Sequence, residues 1–206
     1  VDNGNSTDDV TTVNLTASVA QTDLLVDVEG DVDVTLTSAV DVVFDATTGS
    51  DFGSLNASTS SGDITIGVTS TALEVTTGSG DDTVSVATAA STAALVLDTG
   101  AGTDGVTLGG GTYTGTIAMG DGTDTLTLSA DTDLTAATFS GANIIDTGAN
   151  ALTVDDADIS GENWVINGAG SVVVADIDQT SIDLSGLTVS GATGFTVNFA
   201  SARDAT

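Results

Sequence analysis

The chain has 206 residues and a formal net charge of −29; one arginine, Arg203, is its only basic side chain, and it has no histidine, cysteine or proline. Nothing in it neutralises phosphate, so nucleic acid and anionic lipid surfaces are excluded as partners, and disulfide, zinc-thiolate and redox chemistry are excluded with them. Hydrophobic residues make up 40 %, too many for a disordered acidic tail, yet no apolar run is long enough to span a membrane as a helix.

Residues 1–12 are polar and acidic and are expected to be a lead-in or linker. Val1 is not an initiator Met and opens no visible secretory signal, so the chain is expected to be processed or excerpted, or its export signal to lie elsewhere. One domain is expected over 13–200 and a short tail over 201–206. Within it, GDVDVTLTSAVDVVFDATTG (30–49) and SGDITIGVTSTALEVTTG (61–78) each hold two short alternating runs closed by a glycine corner. Val, Ile and Thr favour strands, and glycine and Asx residues must make the turns of a chain without proline.

The corner then sharpens. TGSGDDTVSV (77–86), TGAGTDGVTL (99–108) and MGDGTDTLTL (119–128) each write Gly-x-Gly-x-Asp before an alternating strand. The glycines are Gly78, Gly80, Gly100, Gly102, Gly120 and Gly122, and the aspartates are Asp82, Asp104 and Asp124. Further on, FSGANIIDTGANALTVDDAD (139–158) returns without a gap as ISGENWVINGAGSVVVADID (159–178), which places Trp164 in the slot of Ile144, as core filling. DLTAATFSGA (133–142) returns, with substitutions, as DLSGLTVSGA (183–192). No helix is expected anywhere.

A period of about twenty residues, with two strands and two corners, describes one coil of a β-solenoid. The expected fold is therefore all-β: a parallel β-solenoid, β-roll or β-helix like, of nine or ten coils and about 45 Å at roughly 4.8 Å per coil. The alternative is an antiparallel β-sandwich in which Asp104-Gly105 and Asp121-Gly122 mark hairpin turns.

In-register coils would stack Asp82, Asp104 and Asp124 in a column. Unit charges ~5 Å apart repel by roughly 1 kcal/mol per pair in water and by more near protein. A cation between the rungs would offset that repulsion, and hard oxygen donors without nitrogen or sulfur select calcium. The glycines would let backbone carbonyls turn toward the same ion. A second acidic column is expected from the Asp-x-Asp pairs Asp131/Asp133, Asp156/Asp158 and Asp176/Asp178. Asp41, Asp45 and Asp63 are expected to be surface charge.

At the three corners the sequence resembles the RTX family of calcium-binding repeats, whose nonapeptide is Gly-Gly-x-Gly-x-Asp followed by an alternating strand. GSGDDTVSV, GAGTDGVTL and GDGTDTLTL match Gly-x-Gly-x-Asp and lack one glycine of the opening pair, and only one such corner occurs per coil. Over its whole length the chain is similar to bacterial surface-layer proteins exported by type I secretion: rich in Thr, Ala, Gly and Asp, without Cys. The resemblance implies calcium-dependent folding outside the cell and self-assembly at the cell surface. Copies of the same chain would be the partners, with cell-surface polysaccharide as a further candidate. A filament subunit or a domain of a large RTX-type adhesin is the alternative. An enzyme is not expected: polysaccharide-active solenoids add a cationic group to their acidic clusters, and only Arg203 is present.

Overall fold

Short runs in which Val, Leu and Ile alternate with polar residues become strands. The computed structural model describes residues 11–25, 32–45, 52–68, 72–87, 93–175, 179–191 and 194–197. Its strands begin with Thr12–Ala17 (β1), Gln21–Leu25 (β2), Val32–Ser38 (β3), Val42–Asp45 (β4), Phe52–Asn56 (β5), Ile64–Val68 (β6), Ala72–Thr76 (β7), Thr83–Val86 (β8) and Ala93–Asp98 (β9). They continue with Ala101–Gly102 (β10), Gly105–Leu108 (β11), Gly111–Ala118 (β12), Asp121–Gly122 (β13), Asp124–Leu128 (β14), Thr132–Ser140 (β15) and Ala142–Asp146 (β16). The described elements close with Ala151–Asp155 (β17), the helix Asp156–Ile159 (α1), Val165–Asn167 (β18), Ser171–Ala175 (β19), Thr188–Ser190 (β20) and Gly194–Val197 (β21).

These strands form a parallel β-solenoid. One sheet has ten strands in the order β1-β3-β5-β7-β9-β12-β15-β17-β19-β21, and the other has nine in the order β2-β4-β6-β8-β11-β14-β16-β18-β20. Every ladder between described strands is parallel, which rules out the sandwich; Asp104-Gly105 and Asp121-Gly122 run along coil corners and close no hairpin. The rung-to-rung step varies from 18 residues at Thr65↔Thr83 to 23 at Val173↔Thr196.

The stack turns the alternation into continuous apolar columns. In the first sheet Val13, Val34, Leu55, Val75, Leu97, Ile117 and Phe139 lie above one another. In the second, Leu24, Phe44, Ile66, Val84, Val106, Leu126, Ile145, Ile166 and Val189 do the same. Burying one such side chain stabilises the fold by about 1.5–3 kcal/mol. A single coil offers only a few of them, so no coil is stable by itself.

Two sequence expectations are corrected here. The ungapped twenty-residue shift holds between β17 and β19, where Ala151 pairs with Ser171, but between β16 and β18 Ile144 pairs with Val165. Trp164 therefore does not take the Ile144 rung. It is nonetheless core, buried against Phe139 with ring centroids 5.6 Å apart. Among the described residues there is also one helical turn, α1, because Asp155 caps it: its carboxylate accepts from the Ala157 N–H at 2.9 Å.

Candidate functional site

The three Gly-x-Gly-x-Asp corners join the two sheets at β7–β8, β9–β11 and β12–β14, and the register places Asp82, Asp104 and Asp124 one above another. The column is internal. Asp82 and Asp124 are 0 % exposed and Asp104 2 %, because each stands two residues before an inward valine or leucine (Val84, Val106, Leu126) and so points to the same face. The alternation in the sequence carries this signal.

Burial is made tolerable by backbone donors from the preceding coil. Asp82 Oδ1 accepts from the Ile64 N–H at 2.7 Å, Asp104 Oδ1 from Asp82 N–H at 2.8 Å, and Asp124 Oδ1 from Asp104 N–H at 2.8 Å. The run ends at a neutral rung: Asn143 Oδ1 accepts from the Asp124 N–H at 2.7 Å, where a register shift lets Ala142 sit opposite Asp124. An exposed ladder runs beside it in the opposite direction. Asp41 Oδ1 accepts from the Asp63 N–H at 3.3 Å, Asp63 Oδ1 from Asp81 at 2.8 Å, and Asp81 Oδ1 from Thr103 at 2.8 Å. Asp41 and Asp63 are thus on the surface, as their composition implied, but they also staple coils. Their signal was spacing at the coil period, one residue out of phase with the core.

The second oxygens differ along the column. Asp82 Oδ2 accepts from the Gly78 N–H at 3.1 Å. Asp104 Oδ2 and Asp124 Oδ2 are buried with no hydrogen-bond partner among the described residues. The Thr99 hydroxyl lies beside Asp104, but it donates its proton to the Met119 carbonyl at 2.9 Å, as Thr77 does to Thr99. Desolvation accordingly pushes the carboxyls of Asp82 and Asp124 above the usual range, and that of Asp104 up to about 6, against the lowering effect of the N–H bonds.

The glycines have a different task from the expected one. The Gly78 and Gly100 carbonyls accept from the Ala101 and Asp121 N–H groups, both at 2.9 Å, and so belong to the coil-to-coil ladder. A Cβ on Gly100, Gly102, Gly120 or Gly122 would run into the carbonyl oxygen of Gly78, Gly80, Gly100 or Gly102, one coil earlier. Only glycine lets the corners stack this closely.

Among the described residues Asp131 and Asp133 do not stack on Asp156 and Asp158: Asp133 stands opposite Thr153, whereas Asp156 and Asp158 belong to α1. The aspartates serve separately: Asp131 accepts from Ala151 N–H at 2.8 Å, Asp133 from Thr135 N–H at 3.0 Å, Asp156 from Gln179 N–H at 2.9 Å, and buried Asp158 from Phe139 N–H at 3.1 Å. Asp158 is also pushed up, first by desolvation. Asp176 and Asp178 lie outside the described residues. Among the described residues no three acidic side chains converge on one point.

The raised carboxyls set the sign of the pH dependence. They hold a proton in the folded chain where the unfolded chain, at an ordinary value near 3.8, has lost it. Their stabilising contribution is complete below that value and is lost as pH rises past about 6 for Asp104. In chelator, the melting temperature is expected to be higher at pH 5 than at pH 7.5. Thermal scans by circular dichroism across that window check it, and a flat or rising profile contradicts the buried column.

No protein-family model matches the chain, and comparison with curated proteins and with solved structures finds no match.

Proposed function

We propose that the chain is a calcium-stabilised structural domain of an extracellular, self-assembling surface layer. The observation that carries this reading is the unbroken parallel stack: nine rungs of one core column, from Leu24 to Val189, make a stiff rod. The chemical inventory supports a mechanical role over a catalytic one, since the whole chain has no histidine, lysine or cysteine. Among the described residues no helix is long and apolar enough to cross a membrane.

The donor set supports a hard cation best between the Asp104 and Asp124 rungs. Their second oxygens are buried and unpaired, and two carboxylates there gain most from a divalent counter-charge. Asp82 contributes less, since both its oxygens already accept N–H bonds. Calcium takes six to eight oxygens, so carbonyls or water complete the shell. Type I secretion, contact with cell-surface polysaccharide and membership of a surface layer rest on the resemblance in sequence.

Adding millimolar calcium to chelated protein at pH 7.5 is expected to raise the melting temperature by several degrees, with magnesium much less effective. Identical melting in calcium and chelator would reject the metal. Negative-stain images after calcium addition separate sheets, in which rows of copies lie side by side and which support a surface layer, from isolated threads that never associate laterally, which support a filament.

A further inference from the structure

The two ends of the stack expose what every internal coil hides. At the first coil, Val13, Leu15, Ala17 and Leu24 occupy core positions yet are only partly buried, although their upper neighbours Val34, Leu36 and Phe44 are fully buried. A cavity of about 290 Å3 opens there, lined by Leu15, Ala17, Val19, Leu24 and Leu36 among others, and Val19 is 68 % exposed. At the last coil, Val189 pairs with fully buried Ile166 but is 47 % exposed. Among the described strands, β1 and β2 have a neighbour on one edge only, and so do β20 and β21.

Open edges are normally blunted by lysine, proline or inward charge. This chain has neither lysine nor proline. Of its four end strands, β1 (TVNLTA), β20 (TVS) and β21 (GFTV) carry no acid and β2 (QTDLL) carries one, Asp23, while interior strands such as β3, β7, β9, β15 and β17 carry an acid each. In a chain of charge −29, edges with a single acid among four strands are where two copies approach with least repulsion. Parallel stacking also makes the ends complementary. Each end presents the surface that an internal coil presents to its neighbour, and two sheets together fix the register.

From this we infer that the occupant of the first coil's open face is the last coil of a second copy, joined head to tail, β21 onto β1 and β20 onto β2. Such a contact is heterologous and does not close, so it propagates the rod into a line. The inference rests on the structural reading above and names the contact by which copies join.

The test uses the 206-residue chain in saturating calcium, followed by sedimentation velocity. Wild type is expected to form a ladder of oligomers. Val19→Asp, which disables only the first-coil end, and Val189→Asp, which disables only the last, are each expected to be monomeric. Their equimolar mixture is expected to give dimers and nothing larger, since one live end of each kind remains. Val96→Asp, at a 43 % exposed site on the outer face of the ten-stranded sheet, is expected to assemble like wild type. Circular dichroism of each variant must match wild type; Thr16→Asp and Ser190→Asp, also at exposed sites, replace either that fails. Monomeric wild type, dimers of Val189→Asp alone, or a mixture that stays monomeric would each overturn the inference. The calcium-induced rise in melting temperature is measured on the same samples. Its loss with assembly intact counts against the metal alone, and its persistence without assembly counts against the docking alone.

Discussion

Gly120→Ala is expected to lower stability by about 3 kcal/mol or more, enough to melt the middle of the rod at room temperature. Gly120 has φ +73, and a Cβ built there would collide with the carbonyl, carbonyl carbon and Cα of Gly100 in the coil beneath. Backbone cannot swing aside as a flexible side chain can, so the coils must separate and both sheets lose hydrogen bonds around β12–β15. Two other glycines calibrate the effect. Gly161 also has positive φ, +86, but nothing lies within 4 Å of its would-be Cβ, so Gly161→Ala should cost only the left-handed strain of about 1 kcal/mol. Gly67 sits in β6 with open space around it, and Gly67→Ala should be neutral or slightly stabilising. Urea melts of the three variants measure the order. Equal effects at Gly120 and Gly67 would mean that the corners do not stack this tightly.

Substitutions at Asp104 are expected to separate the two roles of the column. Asp104→Asn keeps an oxygen for the Asp82 N–H and removes a buried charge flanked by Asp82 and Asp124. The chain itself uses this solution one rung beyond Asp124, at Asn143. In chelator at pH 7.5, Asp104→Asn should therefore melt higher than wild type, and its stability should fall less between pH 5 and pH 7.5. In calcium the order should reverse, because the neutral amide removes one of the two negative charges that balance the ion and leaves Asp124 alone to hold it. Asp104→Ala should be destabilised in both conditions by about 1–3 kcal/mol, since it strands the buried Asp82 N–H. Asp41→Ala, on the exposed ladder, should cost less than about 1 kcal/mol. Calorimetric calcium titration with matched thermal melts gives both readouts. An Asp104→Asn chain that melts below wild type in chelator would show that the charge itself, and not the acceptor, holds the corner.

The spacing of Gly78, Gly100 and Gly120 was enough to expect coils, and the apolar residues around them were enough to place the core, because a period-two pattern repeated every twenty or so residues has few ways to bury itself. The same spacing correctly stacked Asp82, Asp104 and Asp124. It failed for Asp131/Asp133 with Asp156/Asp158, since the coil step drifts between 18 and 23 residues and a likeness of text does not reveal where a bulge or a helical turn absorbs the difference. Trp164 slipped one place from its apparent partner for that reason.

What the residues determined unaided was the parallel solenoid, its columns of Val, Leu and Ile, and the vertical alignment of three carboxylates. What only the folded coils decided was the backbone N–H each carboxylate receives, the oxygens left without a donor, and the carbonyls that forbid any side chain at Gly100 and Gly120. The division has one cause. Alternation and period are properties of a single coil and are written in its residues, whereas a hydrogen bond or a collision between coils depends on their separation and register, which no coil contains alone.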